Sequence, residues 1–197
     1  MKVIAMNSSA RKDGNTAIAI NTIFEELNKE GIETEMIQLA NTIINPCIAC
    51  WACSHRGNCI NKKDQFHEIF EKLKTADGII LASPVYSANI SANMQAFLER
   101  AAVVTDMNRD TNDFKYKVGA AICAARRGGA VNTVDAMNHF FLNHEMFVVG
   151  STYWNMVYGQ MPGDVQNDEE GLTNMKNIGQ NMAYLLNILG GYKNEKI

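Results

Sequence analysis

The stretch KVIAMNSSARKDGNT, residues 2–16, decides the fold. Its first part, residues 2–7, is a short apolar run that stops at a polar Asn-Ser-Ser turn, which is the pattern of a buried strand. Residues 16–30 then place apolar side chains on one face of a helix, with Asn15 as a cap and Gly31 at the C-terminal end. The chain therefore begins with a strand, a turn and a helix.

The same alternation continues along the chain. Apolar runs predict four more strands, over residues 34–39, 78–83, 117–125 and 146–153. Amphipathic stretches predict helices over residues 64–73, 92–104, 131–142 and 172–189. Five apolar strands that alternate with helices predict an α/β fold, in which helices cover both faces of a parallel sheet. We expect a single domain over residues 1–197, with a cysteine-rich insert at about 45–63 and a polar insert at 155–171.

Composition excludes several classes of protein. Of the 197 residues, 47% are apolar and 20% are charged, so the chain is neither disordered nor fibrous. Lys plus Arg number 18 against 21 Asp plus Glu, and this lack of a basic excess argues against nucleic acid as a partner. No apolar run approaches the roughly 20 residues that span a bilayer, and the first residues do not resemble a signal peptide. We therefore expect a cytoplasmic protein without a membrane partner.

Three loops should meet at one edge of this sheet, because ligands of such folds bind outside the carboxyl ends of the strands. The first loop offers hydroxyl, amide and guanidinium donors, and the backbone N–H groups of a helix N-terminus that favour an anion. Its pattern is neither a Walker loop nor a Gly-x-Gly-x-x-Gly loop, so a polar turn that caps a helix is the alternative to a phosphate site. The candidate residues are Ser8, Ser9, Arg11, Gly14, Asn15 and Thr16.

The second and third loops could hold a planar ligand. Tyr86 offers an aromatic ring, and the two glycines of the third loop would let the backbone approach a ligand closely. Ordinary solvated turns remain the alternative for either loop taken alone. The candidates are Pro84, Val85, Tyr86 and Ser87 in the second loop, and Ala125, Arg126, Gly128 and Gly129 in the third.

Taken together, the loops resemble a known family. Residues 8–16 (SSARKDGNT), 83–86 (SPVY) and 94–100 (MQAFLER) are similar to segments of the flavodoxin-like NADPH-dependent FMN reductases. The resemblance implies a three-layer sandwich with strand order 2-1-3-4-5 and bound FMN. It places the phosphate on the first loop and the isoalloxazine between the other two, and it leaves the chemistry to the flavin rather than to a catalytic side chain. Family members commonly have Gly-Ser-Pro-Arg where this chain has Ser-Ser-Ala-Arg, and we expect the loop to survive these small changes.

A cysteine run forms the second candidate site. Cys47, Cys50, Cys53 and Cys59 follow the spacing C-x2-C-x2-C-x5-C, and gaps of two residues are common at [4Fe–4S] clusters. Gly57 could let Cys59 return to the same cluster. Zinc is the runner-up metal, although its cysteine pairs usually lie farther apart, and redox disulfides or idle thiols remain open. Cys123, in an apolar run, is predicted to be a core residue.

The combination of this run with the flavin loops resembles the iron–sulfur flavoproteins, a branch of the same family. The likeness implies that Cys47, Cys50, Cys53 and Cys59 hold one [4Fe–4S] cluster, and that the protein is a homodimer or homotetramer. The exposed aromatic character of the inserts also favours a homo-oligomer. Since the cysteine loop follows the second strand, we expect it to open at the same edge of the sheet as the flavin loops, which need not belong to the same subunit.

These features predict an FMN-dependent oxidoreductase or electron carrier. The cysteine run favours ferredoxin or another protein that supplies single electrons through the cluster, whereas the wider family likeness permits NAD(P)H as the donor. A flavin or quinone reductase without a cluster is one alternative. A flavin- or zinc-binding module without turnover is another.

Overall fold

A computed structural model of the protein, which describes residues 1–195, confirms the alternation of strands and helices. The strands are β1 (Lys2–Asn7), β2 (Glu33–Gln38), β3 (Gly78–Pro84), β4 (Val118–Ala125), β5 (Phe147–Val148) and β6 (Met156–Tyr158). The helices are α1 (Asn15–Lys29), α2 (Cys53–Arg56), α3 (Phe66–Thr75), α4 (Ala92–Asp106), α5 (Ala130–Asn143) and α6 (Glu169–Glu195), with short 3₁₀ turns at Arg109–Thr111 and Asp164–Asn167. None of the helices described is long and apolar enough to cross a membrane.

The sheet is parallel and has the predicted order, β2-β1-β3-β4-β5, with β6 added beside β4. Alternate residues of β1 point to opposite faces of the sheet. Val3 and Ala5 pack in the core beneath α1 and α6, whereas Ile4 and Met6 pack in the core beneath α3, α4 and α5. The three-layer sandwich predicted from the sequence is therefore confirmed.

The fifth strand differs from its prediction. Residues 146–153 were expected to form one strand, but only Phe147–Val148 pair with the start of β4, and Met156–Tyr158 pair with its end. Between the two short strands, the buried side chain of Asn155 supplies a hydrogen bond in place of backbone pairing, since its Nδ2 donates to the carbonyl of Val149 at 3.2 Å. The polar insert predicted at 155–171 therefore begins with a strand, β6. Because β6 pairs with the end of β4, the residues after it lie at the carboxyl edge of the sheet.

Candidate functional site

The three predicted loops meet in one cleft at the carboxyl edge of the sheet. The cleft has a volume of about 310 Å³. It is lined by Ser9, Ala10, Arg11, Asn15, Thr16, Pro84, Val85, Tyr86, Ala124, Arg126, Gly159 and Gln160. Six of the predicted residues lie in the same loops without lining this cleft, namely Ser8, Gly14, Ser87, Ala125, Gly128 and Gly129. The site is thus built from the ends of β1, β3, β4 and β6.

The first loop is held in shape by its own short hydrogen bonds. The backbone N–H of Ser9 donates to Oδ1 of Asn7 at 3.0 Å, and the backbone N–H of Arg11 donates to Oγ of Ser9 at 3.1 Å. From β2, Nε2 of Gln38 donates to the carbonyl of Ser9 at 2.8 Å. Helix α1 then begins after Gly14 with no side chain capping its first turn. Its N-terminal N–H groups and dipole therefore suit an anion in the cleft.

Asn15 has a structural task that the sequence did not suggest. Its Nδ2 donates to the carbonyl of Met161 at 2.9 Å, and its Oδ1 accepts from the backbone N–H of Gly163 at 2.9 Å. Both ends of the amide are therefore used to fasten the segment after β6 to the start of α1. The side chain of Thr16, by contrast, is buried and lines the cleft, and it stays a candidate for direct ligand contact.

The segment 159–163 forms a fourth wall of the cleft, which the sequence did not predict. Gly159 approaches Asn15 so closely that an added Cβ would lie 2.9 Å from its Nδ2. The carboxylate of Asp164 accepts from the backbone N–H groups of Gln160 and Met161, at 3.0 and 2.7 Å. The Pro-Gly pair at residues 162–163 is typical of a turn, but nothing local indicates that this turn reaches the first loop.

The second and third loops support each other by backbone contact. Ser87 and Ala88 both adopt left-handed conformations, with φ of 51° and 59°, in a tight turn closed by hydrogen bonds between Tyr86 and Asn89. Gly129 packs against this turn with φ of 87°, and an added Cβ would lie 2.5 Å from Cα of Ala88. The turn presents the half-exposed ring of Tyr86 to the cleft.

The cleft is electrostatically suited to a negative ligand. Arg11 and Arg126 are exposed and line it from the first and third loops, and they add two full positive charges to the helix N-terminus. Arg11 also reaches the fourth wall, where its Nη1 lies 3.5 Å from the carbonyl of Gln160. A phosphate on the first loop and an electron-rich ring beside Arg126 fit this charge distribution.

A second cavity gathers the cysteines. A space of about 40 Å³ is lined by Pro46, Cys47, Ile48, Cys50, Trp51, Cys53, Cys59, Ile60, Asn61, Arg100, Val103 and Val104. Ala49 and Trp51 adopt left-handed conformations, with φ of 51° and 57°, which curl the chain between the cysteines. Gly57 ends α2 with φ of 69° and returns the chain to Cys59, as its position predicted. His55, predicted to lie at the surface, is exposed and does not line the cavity.

The donor set of this cavity fits a thiophilic metal group. All five cysteines are free thiols. Burial raises the pKa of Cys53, and the neighbouring cysteines raise it further, so four thiolates need a compensating cation to coexist. Arg100 also has a buried Nε–H with no hydrogen-bond partner among residues 1–195, which leaves a donor for a bound group. As the side chains stand, no three metal-ligating groups within residues 1–195 are arranged to hold an ion.

The cysteine cavity and the flavin cleft share no lining residue. The cavity was expected beside the flavin loops, and the structure lines it with the second half of α4, at Arg100, Val103 and Val104. Arg100 is eight residues from Ala92, or about 12 Å along the helix at about 1.5 Å per residue. Asn108, beyond the end of α4, donates from Nδ2 to the carbonyl of Cys53 at 3.4 Å. The insert therefore packs against the second half of α4 and the residues that follow it.

Cys123 is a core residue, as predicted. It is 1% exposed on β4, and its Sγ donates to the carbonyl of Ala130 at 3.5 Å. Burial raises the pKa of this thiol to about 12. A thiol that stays protonated at neutral pH is a poor nucleophile and a poor metal ligand.

The sheet order, the helices on both faces and the cleft at the carboxyl edge define a flavodoxin-like protein. A WrbA-like flavodoxin from Agrobacterium tumefaciens shares this fold, with a TM-score of 0.62 over 95% of this chain and 97% of that chain at 16% identity. Residues 1–160 match the NADPH-dependent FMN reductase family. The chain belongs to this family of flavin-dependent oxidoreductases, as its loops predicted.

Two curated relatives are similar over almost their whole length. An iron–sulfur flavoprotein of Methanocaldococcus jannaschii is 38% identical over 196 residues, which cover 96% of this chain and 99% of that protein. An iron–sulfur flavoprotein of Methanosarcina thermophila is 31% identical over 191 residues, which cover 96% of this chain and 95% of that protein. The predicted resemblance to this branch of the family is confirmed.

Proposed function

We propose that the protein is an FMN-dependent electron-transfer oxidoreductase whose cysteine insert holds a [4Fe–4S] cluster as a second redox group. The observation that carries the proposal is the convergence of three predicted loops and two arginines on one cleft, together with four cysteines around one cavity. The names of the two similar iron–sulfur flavoproteins support the same pair of cofactors.

In this proposal the first loop binds the phosphate of FMN. Ser9 and Thr16 supply hydroxyl groups, Arg11 supplies a guanidinium, and the start of α1 supplies backbone N–H groups. We assign Asn15 to the phosphate through its backbone N–H, because its side-chain amide already fastens the fourth wall.

The second and third loops enclose the isoalloxazine in this assignment. Bound FMN supplies the redox chemistry, because it can exchange one or two electrons. The protein orients the ring, and Arg126 offsets the negative charge that builds up on reduction. The residues assigned to the ring are Pro84, Val85, Tyr86, Ser87, Ala125, Arg126, Gly128 and Gly129.

The cysteine insert supports a single-electron donor. Cys47, Cys50, Cys53 and Cys59 would hold the cluster, which would supply one-electron chemistry. We therefore assign ferredoxin or a similar single-electron protein as the donor. NAD(P)H is the alternative donor, as a hydride source for the flavin itself. A quinone, a free flavin or a similar small molecule is the acceptor.

An anaerobic preparation tests this proposal. We expect the yellow absorbance of FMN, about four iron atoms with matching sulfide per chain, and bleaching by reduced ferredoxin. About one zinc and no iron per chain would refute the cluster, and a colourless protein would refute the flavin. Reduction by NAD(P)H alone, with ferredoxin inert, would point to a reductase of the wider family instead.

Replacing Thr16 with aspartate should weaken FMN binding by about tenfold or more. A buried carboxylate beside the phosphate repels it, and about 1.4 kcal/mol of repulsion corresponds to a factor of ten. The matched control is Asn21→Asp, which adds the same charge on the exposed side of α1. The measurement is an FMN titration of both apo-variants by fluorescence quenching. Equal affinity for Thr16→Asp and wild type would place the phosphate elsewhere.

We further propose a homodimer or homotetramer with the flavin near a subunit boundary. Trp51, Tyr153 and Trp154 are 58%, 61% and 54% exposed, and large aromatic surfaces of this kind mark interfaces. Within one chain the cleft and the cysteine cavity share no lining residue, which also favours electron transfer between subunits. Analytical ultracentrifugation at micromolar concentration should give a dimer or larger, and an FMN-loaded monomer would contradict this assignment.

A further inference from the structure

Arg100 is a fully buried cation at the cysteine cavity, and the flavin site does not account for it. It lies on α4 rather than on the insert, and it is 2% exposed. Burying a guanidinium costs free energy unless every charge and donor around it is well placed. The surroundings of Arg100 therefore indicate what it holds in place.

The contacts of Arg100 join the two ends of the insert. It forms an ion pair with the buried carboxylate of Asp64. Its Nη1 donates to the carbonyl of Asn45 at 3.2 Å, and its Nη2 donates to the carbonyl of Asn61 at 2.9 Å. Asp64 in turn accepts from the backbone N–H and from Nδ2 of Asn45, both at 2.9 Å. The ring of Phe66 packs 4.1 Å from the guanidinium carbon.

The same guanidinium reaches a candidate metal ligand. Its Nη2 lies 3.3 Å from Sγ of Cys59, within hydrogen-bond distance for sulfur. A positive N–H donor on a cysteine sulfur stabilises the thiolate and any additional electron on a cluster bound to it. One side chain therefore fixes the base of the insert and touches one of its four sulfurs.

We propose that Arg100 is the positioning residue of the cysteine site, holding the insert closed around the cavity and raising the reduction potential of the cluster through Cys59. The second half of this proposal rests on the proposed function, and the first half does not. Lysine cannot replace arginine here, because its three donors radiate from one nitrogen, whereas the planar fork of Arg100 serves a carboxylate, two carbonyls and a sulfur at once.

The test compares Arg100→Lys with Arg109→Lys. Arg109 is exposed and contacts Asp106 rather than the insert, so its substitution makes the same chemical change outside the site. In the anaerobically loaded protein, Arg100→Lys should make the cluster potential more negative, as followed by a redox titration with electron paramagnetic resonance. It should also lose iron to a chelator about tenfold faster, which is the lower end of the effect of substituting residues that hydrogen-bond to metal ligands. Arg109→Lys should match wild type in both measurements.

A metal-free measurement separates this inference from the cluster assignment. In apo-protein, Arg100→Lys should speed tryptic cleavage after Arg56, Lys62 and Lys63, because the insert is no longer held at both ends. Faster cleavage with no cluster in wild type would refute the proposed cluster and keep the positioning role. Unchanged cleavage, or unchanged potential with a cluster present, would overturn the corresponding half of the inference.

A second variant guards against simple unfolding. Arg100→Lys leaves Asp64 with a poorly placed cation, and a buried carboxylate without its partner can unfold a domain. The double variant Arg100→Gln, Asp64→Asn removes both charges together and is measured in parallel. It should fold and be cleaved by trypsin faster than wild type. Its cluster should show the same negative shift in reduction potential. A double variant that matches wild type in cleavage and potential would overturn the proposal.

Discussion

Replacing Gly129 with alanine should abolish tight FMN binding. Gly129 has a φ of 87°, which costs an L-residue about 1 kcal/mol, and an added Cβ would lie 2.5 Å from Cα of Ala88. A backbone atom cannot yield as a flexible side chain does. The second and third loops must therefore separate, and the turn that carries Tyr86 moves away from the cleft. We expect a loss of affinity of about a hundredfold, equivalent to about 2.7 kcal/mol.

A glycine outside the flavin loops is the matched control. A Cβ added to Gly150 would meet nothing within 4 Å, and its backbone is not left-handed. Gly150→Ala should therefore bind FMN like wild type. Both apo-variants should retain wild-type far-ultraviolet circular dichroism, which separates loss of the ligand from loss of the fold. Tight binding by Gly129→Ala would show that contact between the two loops does not shape the site.

The sequence predicted the sheet well because β1, β3 and β4 are buried on both faces. Such strands must be apolar throughout, and their runs are readable without knowledge of their neighbours. The fifth strand could not be predicted from an apolar run in the same way. Its ladder is split into two short pieces joined through the side chain of Asn155, which depends on where β4 ends.

The candidate residues were predictable where local chain geometry determines the site. Three loops follow three strands of one sheet, so their convergence needed only the topology. The use of the Asn15 amide was not predictable, because its partners, Met161 and Gly163, lie more than 140 residues away. The position of the cysteine cavity depended likewise on Arg100, a residue of α4 that the spacing of the cysteines does not involve.

Replacing Cys50 with alanine should remove the iron and leave the flavin. Cys50 is exposed, so its loss should cost the fold little, and Cys47, Cys53 and Cys59 would remain as only three ligands. Iron should fall from about four atoms per chain toward none after anaerobic reconstitution. FMN should stay bound, because no cysteine lines the flavin cleft.

Cys123→Ala is the control for the number of thiols. It also removes one of the five cysteines, but from the core, where the thiol has a pKa of about 12 and touches the carbonyl of Ala130 rather than the cavity. Its iron content should match wild type. The two variants therefore differ in which thiol is lost and not in how many.

The electron pathway then distinguishes a redox cluster from a structural one. If single electrons enter through the cluster, Cys50→Ala should be reduced far more slowly by reduced ferredoxin, while reduction of its FMN by dithionite, a small chemical donor, should stay near the wild-type rate. An equal loss with both donors would mean that the insert only supports the flavin site. Unchanged iron in Cys50→Ala would instead mean that the metal is not held by the four thiols of C-x2-C-x2-C-x5-C, because the spacing assigns one corner of the cluster to each of them.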